Sequence, residues 1–163
     1  MLHGGGNPWR GMLYGMTNRL GWSGDPRPLW KLWDEFGIQD AKMIGYWDVA
    51  CPVKTNVDKI LATVYHKRGK TLVALASWAT EPHICRLTID WKSLGLDPHK
   101  ARLFAPEIHG LQSPAVAGPT DEIPVMPGRG WLLMIDEEQH MAPAFPIPNA
   151  YEGRSLLVND LFN

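Results

Sequence analysis

The chain has 163 residues, 45% of them hydrophobic and 20% charged, with a formal net charge of -1. That length suits one ordinary domain plus part of another, and charges of both signs interspersed leave no basic face for nucleic acid and no polybasic segment for a membrane surface. The apolar runs are too short to span a bilayer, and the opening MLHGGGNPWRG lacks the basic and apolar regions of a secretory signal.

The first apolar stretch, GMLYGMTNRL, reads as a short buried strand over residues 11 to 17, because continuous rather than alternating apolarity marks a strand covered on both faces. Trp9, Met12, Leu13, Tyr14, Met16, Leu20 and Trp22 are too apolar to stay solvated alone, so the start is expected to pack on a scaffold outside this chain. Next comes SGDPRPLWKLWDEFG. Asp25 is the expected N-cap and Pro26 the first helical residue. Leu29, Leu32, Trp33 and Phe36 follow at helical spacing, and Gly37 is the expected left-handed stop. A second helical piece is expected over residues 39 to 44. A buried strand followed by a covering helix is half of a βαβ unit.

From residue 46 the period drops to two. ILATVYHK and KTLVALAS, joined through Gly69, predict a β-hairpin with Leu72, Ala74, Ala76 and Trp78 on one face. In HICRLTIDW, Cys85, Leu87, Ile89 and Trp91 alternate with polar neighbours, as in an antiparallel sheet with one wet face. ARLFAPEI, DEIPVMP and GWLLMID add further short strands at near-regular spacing, which predicts a β-sandwich. The expected organisation is therefore a strand-helix remnant of a (β/α)8 barrel over residues 1–45, an antiparallel sandwich over 46–140, and a proline-rich linker over 141–163 opening into a further domain. Both ends are expected to be cut from a larger protein. Cys51 and Cys85 read as free buried thiols.

Catalytic constellations are scarce. The six histidines are scattered without metal-ligand spacing, and no nucleophile elbow, phosphate loop or paired-cysteine motif occurs, so neither a metal nor a cofactor is expected. Asp34-Glu35 and Glu137-Glu138 read as solvated faces, because glycoside hydrolysis needs two carboxylates flanking one bond. Ligand contact is expected instead from Asn18, Arg19 and Trp22, in the loop after the first strand. An amide, a guanidinium fork and a flat indole suit paired hydroxyls and the apolar face of a sugar ring. Equally, Arg19 can pin the loop by pairing with Asp25 or Asp34 while Trp22 packs. Tyr46, Trp47 and Asp48 form the second candidate, with a packing plug at a domain junction as the other reading. Trp91 and Trp131 read as core, and Trp78, at a strand end, fits core or surface.

The stretches GMLYGMTNRLGW, PRPLWKLWDEFGIQDAKMIGYWD, CPVKTN, ILATVYHKRGKTLVALASWA, LTIDWKSLGLDP and GRGWLLMID together resemble the C-terminal region of glycoside-hydrolase-like proteins similar to the family-123 glycosidases. The resemblance spans roughly residues 4 to 136. It implies a catalytic (β/α)8 barrel ahead of a small sandwich, and an Asp-Glu pair in that barrel assisted by the substrate's own acetamido group. No residue of this chain matches that pair. The expectation is thus a C-terminal fragment of a carbohydrate-active protein, its partners being an oligo- or polysaccharide and the missing N-terminal barrel. The alternative is a free-standing carbohydrate-binding or structural interaction module.

Overall fold

The computed structural model describes residues 7–17 and 24–146. The protein is mainly β and antiparallel, with few helices. In chain order come α1 (Pro8–Met12), α2 (Arg27–Phe36), a 3-10 turn (Ile38–Asp40), β1 (Lys42–Ile44), β2 (Val53–Thr55), β3 (Ile60–Lys67), β4 (Lys70–Ser77), β5 (His83–Cys85) and β6 (Leu87–Ile89). These are followed by α3 (Trp91–Leu94), β7 (Arg102–Ala105), β8 (Ala115–Ala117), β9 (Ile123–Val125) and β10 (Gly130–Asp136).

One six-stranded sheet, in the order β1-β3-β4-β10-β7-β8, forms the frame, and two ribbons, β2-β6 and β5-β9, make the opposing layer. The hairpin pairs Ile60 with Ser77 through to Lys67 with Lys70, and Gly69 turns it with φ +78°, a conformation open to glycine at no steric cost. Its period of two sorts the side chains. Ile60, Ala62, Val64, Val73, Leu75, Leu133 and Ile135 face the ribbons and share a core with Val53, Cys85, Leu87, Ile123 and Val125. Tyr65, Leu72, Ala74, Ala76, Leu132 and Met134 point the other way, and there they meet Trp9, Met12 and Leu13, with Leu29 and Phe36 of α2. The central strands are covered on both faces, which is why β4 carries no exposed residue. At Gly130 the backbones of β4 and β10 approach so closely that a Cβ would lie 1.7 Å from the Leu75 carbonyl oxygen.

The first fifty residues depart from expectation in three places. Residues 11–17 are not a strand. Asn7 caps α1 by accepting from the Arg10 amide at 3.0 Å, Pro8 stands in its first turn, and the chain then turns through residues 13–15. The apolar residues at 9, 12 and 13 find their partners on the outer face of this chain's own sheet. Helix α2 begins at Arg27 with Pro26 as cap, and the Asp25 carboxylate takes the Arg27 amide at 3.0 Å. Its apolar stripe and its left-handed stop at Gly37 are as expected. Residues 42–44 are a strand rather than a helix, because β3 offers a free edge and Lys42, Met43 and Ile44 pair with His66, Tyr65 and Val64.

Further along, HICRLTIDW keeps its alternation but not its continuity. Cys85 pairs with Ile123 in one ribbon while Leu87 pairs with Thr55 in the other. Trp91 opens α3, which Asp90 caps by accepting from the Ser93 amide at 3.2 Å, and it still packs on the same core. Both cysteines are buried and free. Past β10 the chain returns to the sheet, where Ala144 bridges Val116 in parallel and Phe145 is buried in the core. No helix of the described residues is long and apolar enough to cross a membrane.

Candidate functional site

The best-defined surface feature lies in the turn between β1 and β2. There Trp47 is 58% exposed, and its indole folds back over Gly45 so closely that a Cβ at Gly45 would sit 2.3 Å from the ring. Residue 45 therefore has to be glycine for the ring to lie where it does. Tyr14, from the turn after α1, stacks on Trp47 with centroids 5.8 Å apart and planes within 11°. Tyr46 stands edge-on to both, at 6.1 Å from Tyr14 and 5.1 Å from Trp47. The two phenol hydroxyls share a hydrogen bond of 3.0 Å, and that bond, reinforced by partial burial, raises the Tyr14 pKa above the ordinary tyrosine value.

The platform rests on buried polar joints. Thr63 is fully buried; its hydroxyl donates to the Leu13 carbonyl at 2.9 Å and accepts from the Tyr46 amide at 3.3 Å. Tyr65 donates to the Met12 carbonyl; burial pushes its phenol up to about 12. The Lys54 ammonium donates to the Tyr46 and Asp48 carbonyls at 3.3 and 3.0 Å, closing the turn from below. Asp48 is engaged in the turn itself, its Oδ1 accepting from the Ala50 amide at 2.8 Å.

Of the residues expected from sequence to touch a ligand, Tyr46 and Trp47 are brought together, and Asp48 stands beside them with its carboxylate occupied in the turn. Asn18, Arg19 and Trp22 lie outside the described residues. Tyr14 was not anticipated; only contact across the fold brings it to Trp47, and no spacing in the sequence signals that. Trp78 is a surface residue, 37% exposed, with the Arg10 guanidinium 4.8 Å above its ring. Trp131 is partly buried on the sandwich core, as expected, its indole donating to the Pro124 carbonyl at 2.7 Å.

A groove of about 640 Å³ opens beside the 107–115 loop, lined by Trp9, His109, Gln112, Arg129 and Trp131. Arg129 lies 5.1 Å over the Trp9 ring. Gln112 serves the edge of β10 that β7 leaves unpaired, accepting from the Leu132 amide at 2.9 Å and donating to the Leu132 carbonyl at 3.0 Å. A smaller hollow of about 390 Å³ continues it past Asp25. Asp25 is clasped by Arg27 through two guanidinium nitrogens at 2.8–3.0 Å, which lowers its pKa to about 2. A glycosidase acid must keep its proton near neutrality, so Asp25 does not qualify.

The described residues thus form a small, mainly antiparallel β-domain that carries an exposed aromatic platform at one corner. The family model for the glycoside hydrolase 123 C-terminal domain matches residues 25–136, and the chain belongs to that family. It is accordingly a glycoside-hydrolase-associated domain. No curated protein and no solved structure matches it.

Proposed function

We propose that this chain is the non-catalytic C-terminal part of a carbohydrate-active protein. Its sandwich braces a (β/α)8 barrel that holds the catalytic carboxylates. The Tyr14–Tyr46–Trp47 platform, with Asp48 at its edge, is the wall this domain offers to the sugar. Asn18, Arg19 and Trp22, which follow Tyr14 in sequence, remain proposed sugar contacts on the chemistry of their amide, guanidinium and indole. The observation that carries this reading is the exposed indole of Trp47 held parallel to Tyr14. A flat apolar face beside two hydroxyls suits the C–H face and the hydroxyl rim of a pyranose. Family membership supports carbohydrate as the ligand class.

Affinity electrophoresis of the purified chain through gels containing single polysaccharides tests it. At least one polysaccharide is expected to retard the chain, and Trp47→Ala, at an exposed position, is expected to abolish the retardation without loss of the folded spectrum. A folded chain that runs freely on every polysaccharide refutes the platform's role. No sugar is expected to be released from chromogenic glycosides; release by this chain refutes the non-catalytic assignment.

A further inference from the structure

We propose that Asp136, Glu138 and His140 bind one divalent transition cation of the zinc class. These three residues each offer a ligand atom, and the three atoms lie within 4.8 Å of one another. The set arises where β10 ends. Asp136 is its last residue and sits on the helix-covered face of the sheet with Met134, while Glu138 and His140 follow on the bend.

Two of the three ligands are already held. The Asp136 side chain is only 3% exposed. Its Oδ1 accepts from His140 Nε2 at 2.7 Å and from the Glu138 amide at 3.1 Å. The other oxygen of the same carboxyl, Oδ2, is buried and has no hydrogen-bond partner among the described residues. A carboxylate oxygen shut away from water without a partner is costly, and a cation is the partner that removes the cost. The His140 ring is fixed too, lying flat on Phe104 with centroids 4.0 Å apart and planes within 7°.

The third ligand is free to move. The Glu138 side chain is 66% exposed and its present neighbour is the Lys70 ammonium at 3.9 Å. A tetrahedral ion with bonds of about 2 Å holds its ligands closer than this group stands, so Glu138 swings in and Lys70 gives way. Lys70 is thus the competitor for the site. Arg102, across the ladder from Asp136, turns its guanidinium to the Ala101 carbonyl at 2.9 Å. Two carboxylates with one imidazole favour zinc-like ions over calcium or magnesium, which prefer all-oxygen shells. The bound ion would pin residues 137–140 to the end of β10, where the chain leaves the sheet before returning to bury Phe145.

Cobalt(II) is the probe, added to the full chain after treatment with a chelator. Visible d–d bands that saturate at one equivalent, vanish on adding zinc and persist in excess magnesium or calcium are expected. Glu138→Gln, at an exposed side chain, and His140→Gln are each expected to weaken cobalt binding roughly tenfold or more, since even losing a residue that merely supports a ligand costs 10–100-fold. Lys70→Gln is expected to tighten binding, an effect that a purely structural role for these residues would not produce. Each variant is compared at matched near-UV circular dichroism. The proposal is overturned by an absence of visible bands with the wild-type chain, by undiminished affinity in both ligand variants, by displacement with magnesium or calcium, or by weaker binding in Lys70→Gln.

Discussion

Replacing Thr63 by valine tests how firmly residues 7–17 belong to this domain. The change keeps the branched shape and removes a buried hydroxyl that joins two segments distant in sequence, donating to the Leu13 carbonyl and accepting from the Tyr46 amide. Two net hydrogen bonds contribute about 1 kcal/mol each, and more where a partner is left buried and unsatisfied. The new methyl group returns at most about 0.8 kcal/mol. The expected loss is therefore about 1–2 kcal/mol, or about 2–8 °C in melting temperature for a domain of this size. Urea unfolding followed by tryptophan fluorescence gives the first quantity and calorimetry the second. Amide exchange should localise the damage to residues 12–15 and 45–48, with the β3–β4 ladder unaffected. A change below about 0.3 kcal/mol, with protection at residues 12–15 unaltered, would refute the docking of α1 on this sheet.

Gly130→Ala should prevent folding, because the added Cβ meets the backbone oxygen of Leu75 at 1.7 Å and neither strand can shift without breaking the β4–β10 ladder; a cooperative melt within a few degrees of wild type would contradict this. Burial pushes the Cys85 thiol up to about 12 from an unperturbed 9.0. The folded chain thus keeps a proton that the unfolded chain loses, so the stabilisation is intact below pH about 9 and drains away as pH rises toward 12. Cys85→Ser titrated by urea at pH 7, 9 and 10.5 should lose that alkaline decline, and wild-type Cys85 should react with a thiol reagent only when unfolded.

The parts of the fold legible in the sequence are those with a strong period. In β3 and β4 every second residue is apolar on each face, and the hairpin follows whatever covers it. In α2, Leu29, Leu32, Trp33 and Phe36 have no alternative to a helical stripe. The opening stretch carries no such discriminant, since a continuous apolar run suits a buried strand and a buried helix alike. The signal that decides it is local and outside the run: Asn7 followed by Pro8 is a cap and a first helical turn, where the glycines before them read as a loop. At residues 42–44 no local signal exists. Lys-Met-Ile becomes a strand because an edge is vacant, and tertiary pairing outweighs propensity in so short a piece. The same holds for the site. The exposed pair Tyr46-Trp47 could be picked from sequence, but Tyr14 joins it only through the docking of α1. Asp136 and His140 sit in an acidic run, DEEQH, that looks solvated until the burial of Asp136 is known.

Covering both faces of the main sheet also determines where this domain can meet another body. The sandwich core occupies one face and α1 with α2 the other, so the described residues leave no broad apolar sheet face open. A recognition surface has to be assembled from connections. Five of the eight large hydrophobic residues exposed among the described residues, Tyr14, Met16, Met43, Trp47 and Val49, come from two short stretches, 14–16 and 43–49. Those stretches are joined by the Tyr14–Trp47 stack and the Tyr14–Tyr46 hydrogen bond. Apolar side chains scattered singly over a surface need no explanation, whereas a concentration at one corner supports the contact site proposed above. That this corner is built from segments held by buried hydrogen bonds of Thr63 and Tyr65 and by the exposed ammonium of Lys54 separates it from a merely loose edge: its backbone is tied down in the free protein, so binding at the proposed site would order little that is not already ordered.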